Sequence, residues 1–169
     1  MVKRLREKAE ALPLLPANAD SVVKFFDAGC GQGHACFYAA LLWRVNAAGI
    51  EHPDNFVAAK HTLDALNNLV GEPVSKRVRL SEKDITAPGF SLAGVTHATC
   101  IIDSAPLVQR FLEVAARCAS VRAVAFVAGL GMGNMDLGPF TADASALSVS
   151  VDGGRNKRTV QVARRLAGK

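Results

Sequence analysis

The sequence contains no long apolar run and no secretory leader, and both absences exclude classes of protein. No stretch of the 169 residues approaches the ~18–20 apolar residues that span a bilayer. The N-terminus is basic and has no apolar core of the kind that directs secretion. Half of the residues are hydrophobic and 21% are charged, which is the balance of a globular domain. We therefore expect one globular domain without a membrane partner.

Cysteines are few, and their spacing is unlike that of metal or disulfide scaffolds. Cys30, Cys36, Cys100 and Cys118 contain no C-x-x-C pair, so neither a zinc site nor a disulfide framework is indicated. Cys30, His34 and Cys36 straddle a turn and the start of a helix, which favours buried packing, or the lining of a binding pocket, over metal binding. The sequence predicts no metal site and a reducing, intracellular compartment. Nucleus and cytoplasm both fit, and an organelle is left open.

The net charge of +5 is concentrated at the two ends of the chain. Residues 1–8 carry +3 and residues 152–169 carry +5, so the middle of the chain carries −3. Basic ends of this kind attract nucleic acid or another polyanion. Solvated ends that aid solubility are the alternative interpretation.

An apolar run followed by alternating glycines is the central feature of the sequence. Residues 22–26 are mostly β-branched or aromatic and predict a short buried strand. From His34 onward, apolar residues recur three to four apart, as on one helix face. The motif Asp27-x-Gly29-x-Gly31-x-Gly33 therefore occupies a strand-to-helix turn, where the backbone can approach an anionic or polar ligand.

The glycine spacing distinguishes this turn from other nucleotide-binding loops. A dinucleotide fingerprint reads G-x-G-x-x-G and a phosphate loop ends in Gly-Lys-Ser/Thr, whereas the third glycine here comes one residue early. The motif resembles that of the class I S-adenosylmethionine-dependent methyltransferases. The resemblance implies S-adenosyl-L-methionine as cofactor, with Asp27, Gly29, Gly31 and Gly33 around its amino-acid end.

An acid ends the second predicted strand. Glu51 follows Asp27 by 24 residues, and an acid at this point of a nucleotide-binding α/β fold accepts hydrogen bonds from ribose hydroxyls. We assign Glu51, with its neighbour His52, to the cofactor site.

The resemblance also implies roles for residues after the third and fourth strands. Asp84 and Ile85 match the acid and apolar neighbour that contact the adenine. Asp103 and Ser104 follow strand four, where the class places residues facing the substrate and the cofactor, and they are the catalytic candidates. From sequence alone, Ser104 is also predicted to cap the next helix, which Pro106 begins.

The order of elements predicts the fold class. Strand–helix, strand–helix, strand, strand–helix and strand are followed by a hairpin with a basic tip, which implies an α/β Rossmann-like methyltransferase sheet. We expect it to be mostly parallel, with a C-terminal antiparallel β-hairpin and helices on both faces. Residues 1–20 form an N-terminal basic segment, residues 21–169 the S-adenosylmethionine-binding domain, and residues 129–145 an irregular connection.

At finer grain the chain is similar to the Dot1-like histone lysine methyltransferases. The similarity lies in the glycine motif, in Gly49-Ile50-Glu51, in Ile102-Asp103-Ser104 and in the terminal hairpin. It implies a protein substrate, either a histone or a ribosomal protein. Two alternatives are kept: an RNA (ribosomal) methyltransferase, favoured by the basic ends, and a non-catalytic methyltransferase-fold subunit, favoured by a short N-terminal segment in place of the family's N-terminal lobe.

Overall fold

The computed structural model describes residues 23–70, 76–128, 135–142, 147–151 and 156–166. The predictions for the N-terminal segment 1–20, for part of the connection 129–145 and for the hairpin tip at 152–155 lie outside these ranges. The chain divides into two compact units between Asp84 and Ile85.

The first unit is built on three parallel strands with two helices. Strand β2 pairs with both β1 and β3. The elements are β1 (Phe25–Ala28), α1 (His34–Trp43), β2 (Ala47–Glu51), α2 (Pro53–Val70) and β3 (Val78–Glu82).

A single apolar cluster holds the first unit together. Phe25, Ala47 and Val78 are register partners on neighbouring strands, so their side chains lie on the same face of the sheet. That face packs against Phe37 of α1 and Leu63 of α2, and all five residues are buried. Both helices therefore cover one face of this part of the sheet.

The second unit combines one parallel strand pair with antiparallel strands. Strands β4 and β5 are parallel, and β8 runs antiparallel to β5, β6 and β7. The elements are β4 (His97–Cys100), α3 (Ala105–Arg117), β5 (Ala123–Ala128), β6 (Phe140–Ala142), β7 (Leu147–Val151) and β8 (Asn156–Arg165).

The predicted fold class is confirmed: parallel strands come first, antiparallel strands follow at the C-terminal end, and helices pack against them.

Two local predictions are wrong. Residues 140–142, predicted to be irregular, form strand β6, because Phe140 is buried beside the Arg165 side chain and pairs with β8. Ser104 occupies the N-cap position of α3 without a side-chain cap; the helix begins with the Val108 N–H donating to the Ser104 carbonyl at 3.0 Å.

Candidate functional site

The glycine motif forms a tight turn between β1 and α1. Gly29, Gly31 and Gly33 have φ angles of 69°, 52° and 76°, a left-handed conformation that costs other residues energy. Space is restricted at Gly33 as well: a Cβ there would lie 2.8 Å from Leu80 Cδ1. The motif is therefore required by the backbone path, and the turn leads directly into the helix start.

Backbone hydrogen bonds hold the turn against β2. The N–H groups of Gly29 and Cys30 both donate to the Ile50 carbonyl at 2.9 Å, and the Gly33 N–H donates to the Cys30 carbonyl at 2.8 Å. The turn is thus fixed to the end of the strand that carries Glu51.

The buried carboxylate of Glu51 closes the turn. Its Oε2 accepts the Gly31 N–H at 2.6 Å, and its Oε1 accepts the His52 N–H at 2.9 Å. Charge-assisted bonds of this length are among the stronger hydrogen bonds in proteins. The spacing between Asp27 and Glu51 thus corresponds to a direct contact between the end of β2 and the glycine turn.

Asn55 is a neighbour of this carboxylate that the sequence reasoning missed. Its Nδ2 donates to Glu51 Oε1 at 3.4 Å from the first turn of α2. The available signal was its spacing: Asn55 comes four residues after Glu51. His52 is exposed instead, and its Nδ1 lies 3.3 Å from the Asp54 carboxylate.

Two thiols pack beneath the turn, as the sequence predicts for Cys30 and Cys36. A Cβ at Gly49 would lie 2.9 Å from the Cys30 Sγ and 3.0 Å from the Cys36 Sγ, so the glycine makes room for both. Burial, followed by the Asp27 and Glu51 carboxylates, raises the pKa of Cys30 to about 12. Burial and Asp27 likewise raise the pKa of Cys36. Both thiols stay protonated at neutral pH and act as packing groups.

The remaining cofactor candidates lie at or after strand ends. Asp27 is buried within β1, and Asp84 is exposed two residues beyond β3. The next residue, Ile85, is buried and belongs to the second unit. In that unit Asp103 is exposed in the segment between β4 and α3, with the half-buried Ser104 after it.

The first unit thus brings together the glycine turn, Glu51 and Asn55, while Asp103 and Ser104 are placed by β4 and α3. Within the described ranges, no three His, Cys, Asp or Glu side chains are grouped to hold a metal ion. The same ranges contain no helix long and apolar enough to cross a membrane.

Comparison with known proteins gives matches at the level of structure. No protein-family model and no curated protein matches the sequence. The tRNA methyltransferase TrmK of B. subtilis superposes with a TM-score of 0.65 at 16% identity, covering 98% of this chain and 66% of its own. The chain has a methyltransferase fold.

Two further solved structures show the range of enzymes that share this fold. An RNA methyltransferase of Salinibacter ruber, in complex with S-adenosyl-L-homocysteine, has a TM-score of 0.57 at 20% identity and covers 99% of this chain and 92% of its own. The geranyl diphosphate C-methyltransferase of Streptomyces coelicolor A3(2) has a TM-score of 0.61 at 11% identity, covering 97% and 79%. At these identities the similarity concerns the fold.

Proposed function

We propose that this protein is an S-adenosyl-L-methionine-dependent methyltransferase that acts on RNA. The observation that carries the cofactor assignment is the closure of a left-handed glycine turn by the Glu51 carboxylate, at the end of β2 of a methyltransferase fold. The turn leads into the N-terminus of α1, whose partial positive charge would attract the ligand's carboxylate.

The residues present fit the parts of this cofactor. Gly29, Gly31 and Gly33 would hold the amino-acid end, which lies close to the main chain where side chains are absent. A carboxylate has about four lone-pair positions, and three at Glu51 are occupied by Gly31, His52 and Asn55. Two ribose hydroxyls therefore require one donor to leave, and the longest bond, from Asn55, is the one expected to give way.

The other cofactor assignments follow the resemblance. Asp84 would accept a hydrogen bond from the adenine amino group, and Ile85 would supply apolar contact to the ring. His52 lies beside Glu51 and would border the ribose. Asp27, buried in β1, would support the amino-acid end from below.

The bound cofactor supplies an electrophilic methyl group, so the protein's part is to align the acceptor and exclude water. Asp103 is exposed and carries a carboxylate that can orient the acceptor nitrogen or take its proton. Ser104 adds a hydroxyl next to it, and that hydroxyl makes no capping bond to α3.

RNA is the proposed acceptor because two methyltransferases of similar fold are described as tRNA and RNA enzymes, and because this chain is basic at both ends. The Dot1-like similarity supports a second candidate, a protein lysine. Its support is the run Ile102-Asp103-Ser104 together with the antiparallel β7–β8 pair.

Calorimetric titration with S-adenosyl-L-homocysteine tests the cofactor assignment. Glu51→Ala removes the carboxylate and is expected to weaken binding of the ligand by about 10- to 100-fold. The reason is that the two hydrogen bonds from the ribose hydroxyls to this carboxylate would be lost. Glu82→Ala is the matched control, since Glu82 is an exposed acid at the end of the next strand. Equal affinity of the Glu51→Ala variant and the wild type would contradict the ribose assignment.

Transfer of a tritiated methyl group to tRNA, ribosomal RNA, histones and ribosomal proteins tests the acceptor. Label on RNA supports the proposal, and label on protein alone favours the lysine candidate. Cofactor binding without transfer to any of these acceptors would indicate a non-catalytic subunit. Asp103→Asn is expected to lower kcat about 100-fold if the carboxylate takes the proton.

A further inference from the structure

Basic side chains gather at one edge of the second unit, away from the predicted catalytic residues. Strands β4 and β5 begin at this edge and the antiparallel β8 ends there, since His97 is in register with Ala123 and Ala123 with Arg164. Helix α3 also ends there. We define the basic edge by its exposed residues His97, Arg117, Arg122 and Arg164.

The backbone of the basic edge is fixed by hydrogen bonds. The Arg122 N–H donates to the Thr96 carbonyl at 2.8 Å, and the Arg165 N–H donates to the Arg122 carbonyl at 2.7 Å. The Arg165 side chain, half-buried, reaches the end of α3. Its position beside Arg164 therefore anchors that strand end.

Pairing with the carboxyl end of α3 does not account for all of the basic residues at this edge. The carbonyls at the end of α3 attract cations, but the Arg165 guanidinium already satisfies those of Ala115, Ala116 and Cys118, at 2.9, 3.2 and 3.1 Å. Arg122 and Arg164 are additional charges on the same edge.

Two cations act on the His97 imidazole. Partial burial of the ring, followed by the charges of Arg122 and then Arg164, lowers the pKa of His97. The Arg117 guanidinium lies 4.0 Å from the Glu113 carboxylate, and its side chain remains 69% exposed. An anion at this edge meets planar guanidinium groups, which suit the geometry of phosphate.

We propose that the basic edge binds the phosphate backbone of an RNA substrate, at a distance from the nucleotide that is methylated. The inference rests on the proposed RNA acceptor. Asp103 follows His97 by six residues along and beyond β4, which corresponds to up to about 20 Å. A single nucleotide cannot bridge that distance, whereas an RNA chain of several nucleotides can. The substrate is accordingly an RNA chain, of which a tRNA is one example, in preference to a nucleoside or a single nucleotide.

Binding of bulk tRNA, measured by fluorescence anisotropy at several salt concentrations, tests the basic edge. The double variant Arg122→Gln/Arg164→Gln is expected to bind about tenfold more weakly at 0.15 M salt. The slope of log affinity against log salt concentration should fall by about 1 for each cation removed. Arg122→Lys/Arg164→Lys keeps the charge and should recover most of the salt slope.

The matched control is Lys60→Gln/Arg79→Gln, which removes the same charge from two exposed positions of the first unit. Its tRNA affinity should change less than that of the basic-edge variant. Unaltered S-adenosyl-L-homocysteine affinity and thermal stability would show that both glutamine variants are folded. An affinity and salt slope equal to wild type in the basic-edge variant would overturn the inference.

Binding and methyl transfer separate this inference from the proposed function. If the protein methylates RNA and the basic-edge variant binds tRNA as tightly as wild type, the proposed function stands and the inference about the basic edge is wrong. Weakened tRNA binding in that variant, with no methyl transfer to RNA, would keep the RNA-binding edge and remove the proposed RNA acceptor. A mononucleotide that binds as tightly as tRNA, with the same loss in the variant, would contradict the requirement for a substrate that spans both sites.

Discussion

At the scale of single residues, a side chain added at a glycine can have two energetic costs, strain of a left-handed backbone and a clash with a neighbour. Gly33 in the glycine turn and Gly89 between β3 and β4 distinguish these two costs. Gly33 and Gly89 have similar φ angles, 76° and 80°, but only at Gly33 would a Cβ meet a neighbour within 4 Å, the Leu80 side chain. Gly89→Ala is expected to lower the free energy of unfolding by about 1–2 kcal/mol, the cost of left-handed backbone. Gly33→Ala should cost more, because Leu80 packs against the core and must move. Urea unfolding of both variants tests this, and equal losses would contradict a contribution from Leu80.

His97 gives a residue-level prediction for pH. Its pKa is lowered by burial and by Arg122 and Arg164, so below the ordinary value of about 6.5 the unfolded chain binds more protons than the folded one. Stability therefore rises with pH through this range and is lost as the pH falls from 6.5 toward the lowered pKa. His97→Gln should flatten the dependence of the thermal midpoint on pH between 7.5 and 5.

The matched control for this prediction is His61→Gln, a substitution at an exposed position of α2. A pH dependence of the His97→Gln variant identical to wild type would contradict a contribution from His97.

At the scale of elements, one side chain joins β8 to the end of α3. Arg165 donates from Nε to the Val121 carbonyl at 2.7 Å and from Nη2 to three carbonyls around the helix end, while its guanidinium lies 4.8 Å from the Phe140 ring centroid. Arg165→Met should lower the free energy of unfolding by about 2–4 kcal/mol, because partly buried carbonyls lose their donor.

Arg165→Lys tests whether charge or shape matters at this junction. A lysine keeps the charge but cannot serve the two groups of carbonyls with one planar fork, so most of the loss should remain. Arg79→Met, at an exposed position of β3, is the control and should change stability by less than about 0.5 kcal/mol. Full recovery in the lysine variant would show that charge alone suffices.

The sequence predicts elements well where the information is local. The turn after β1 follows from glycine spacing and the α3 start from Pro106, and both elements are found there. Sequence predictions fail where the local structure depends on a partner far away in the sequence. Strand β6 exists because β8 offers it an edge, and the Arg165 junction joins residues 44 to 50 positions apart.

In the candidate site, too, residue positions follow from local sequence, whereas their contacts depend on the fold. Glu51 was predicted from its position after a strand, but its bond to Gly31 depends on the folded register of β1 and β2. Asn55 lies four residues after Glu51, a spacing that indicates a contact only if α2 begins directly after the carboxylate, as it does. Ser104 is a residue type typical of helix caps and occupies the N-cap position, yet its hydroxyl makes no capping bond.

At the scale of the whole molecule, ligand binding and folding are linked if the glycine turn holds the cofactor. A ligand that binds only the folded state stabilises it by about 2.7 kcal/mol at a hundredfold excess over Kd. For a domain of this size that corresponds to a rise in Tm of about 5–10 °C.

Wild-type protein with S-adenosyl-L-homocysteine should show this rise, as should Arg122→Gln/Arg164→Gln, whose changes lie in the second unit and leave the turn intact. Glu51→Ala should show about half of this rise or less at the same ligand concentration, since its binding is about 10- to 100-fold weaker. An equal rise in wild type and Glu51→Ala would contradict the assignment of Glu51 to the ribose.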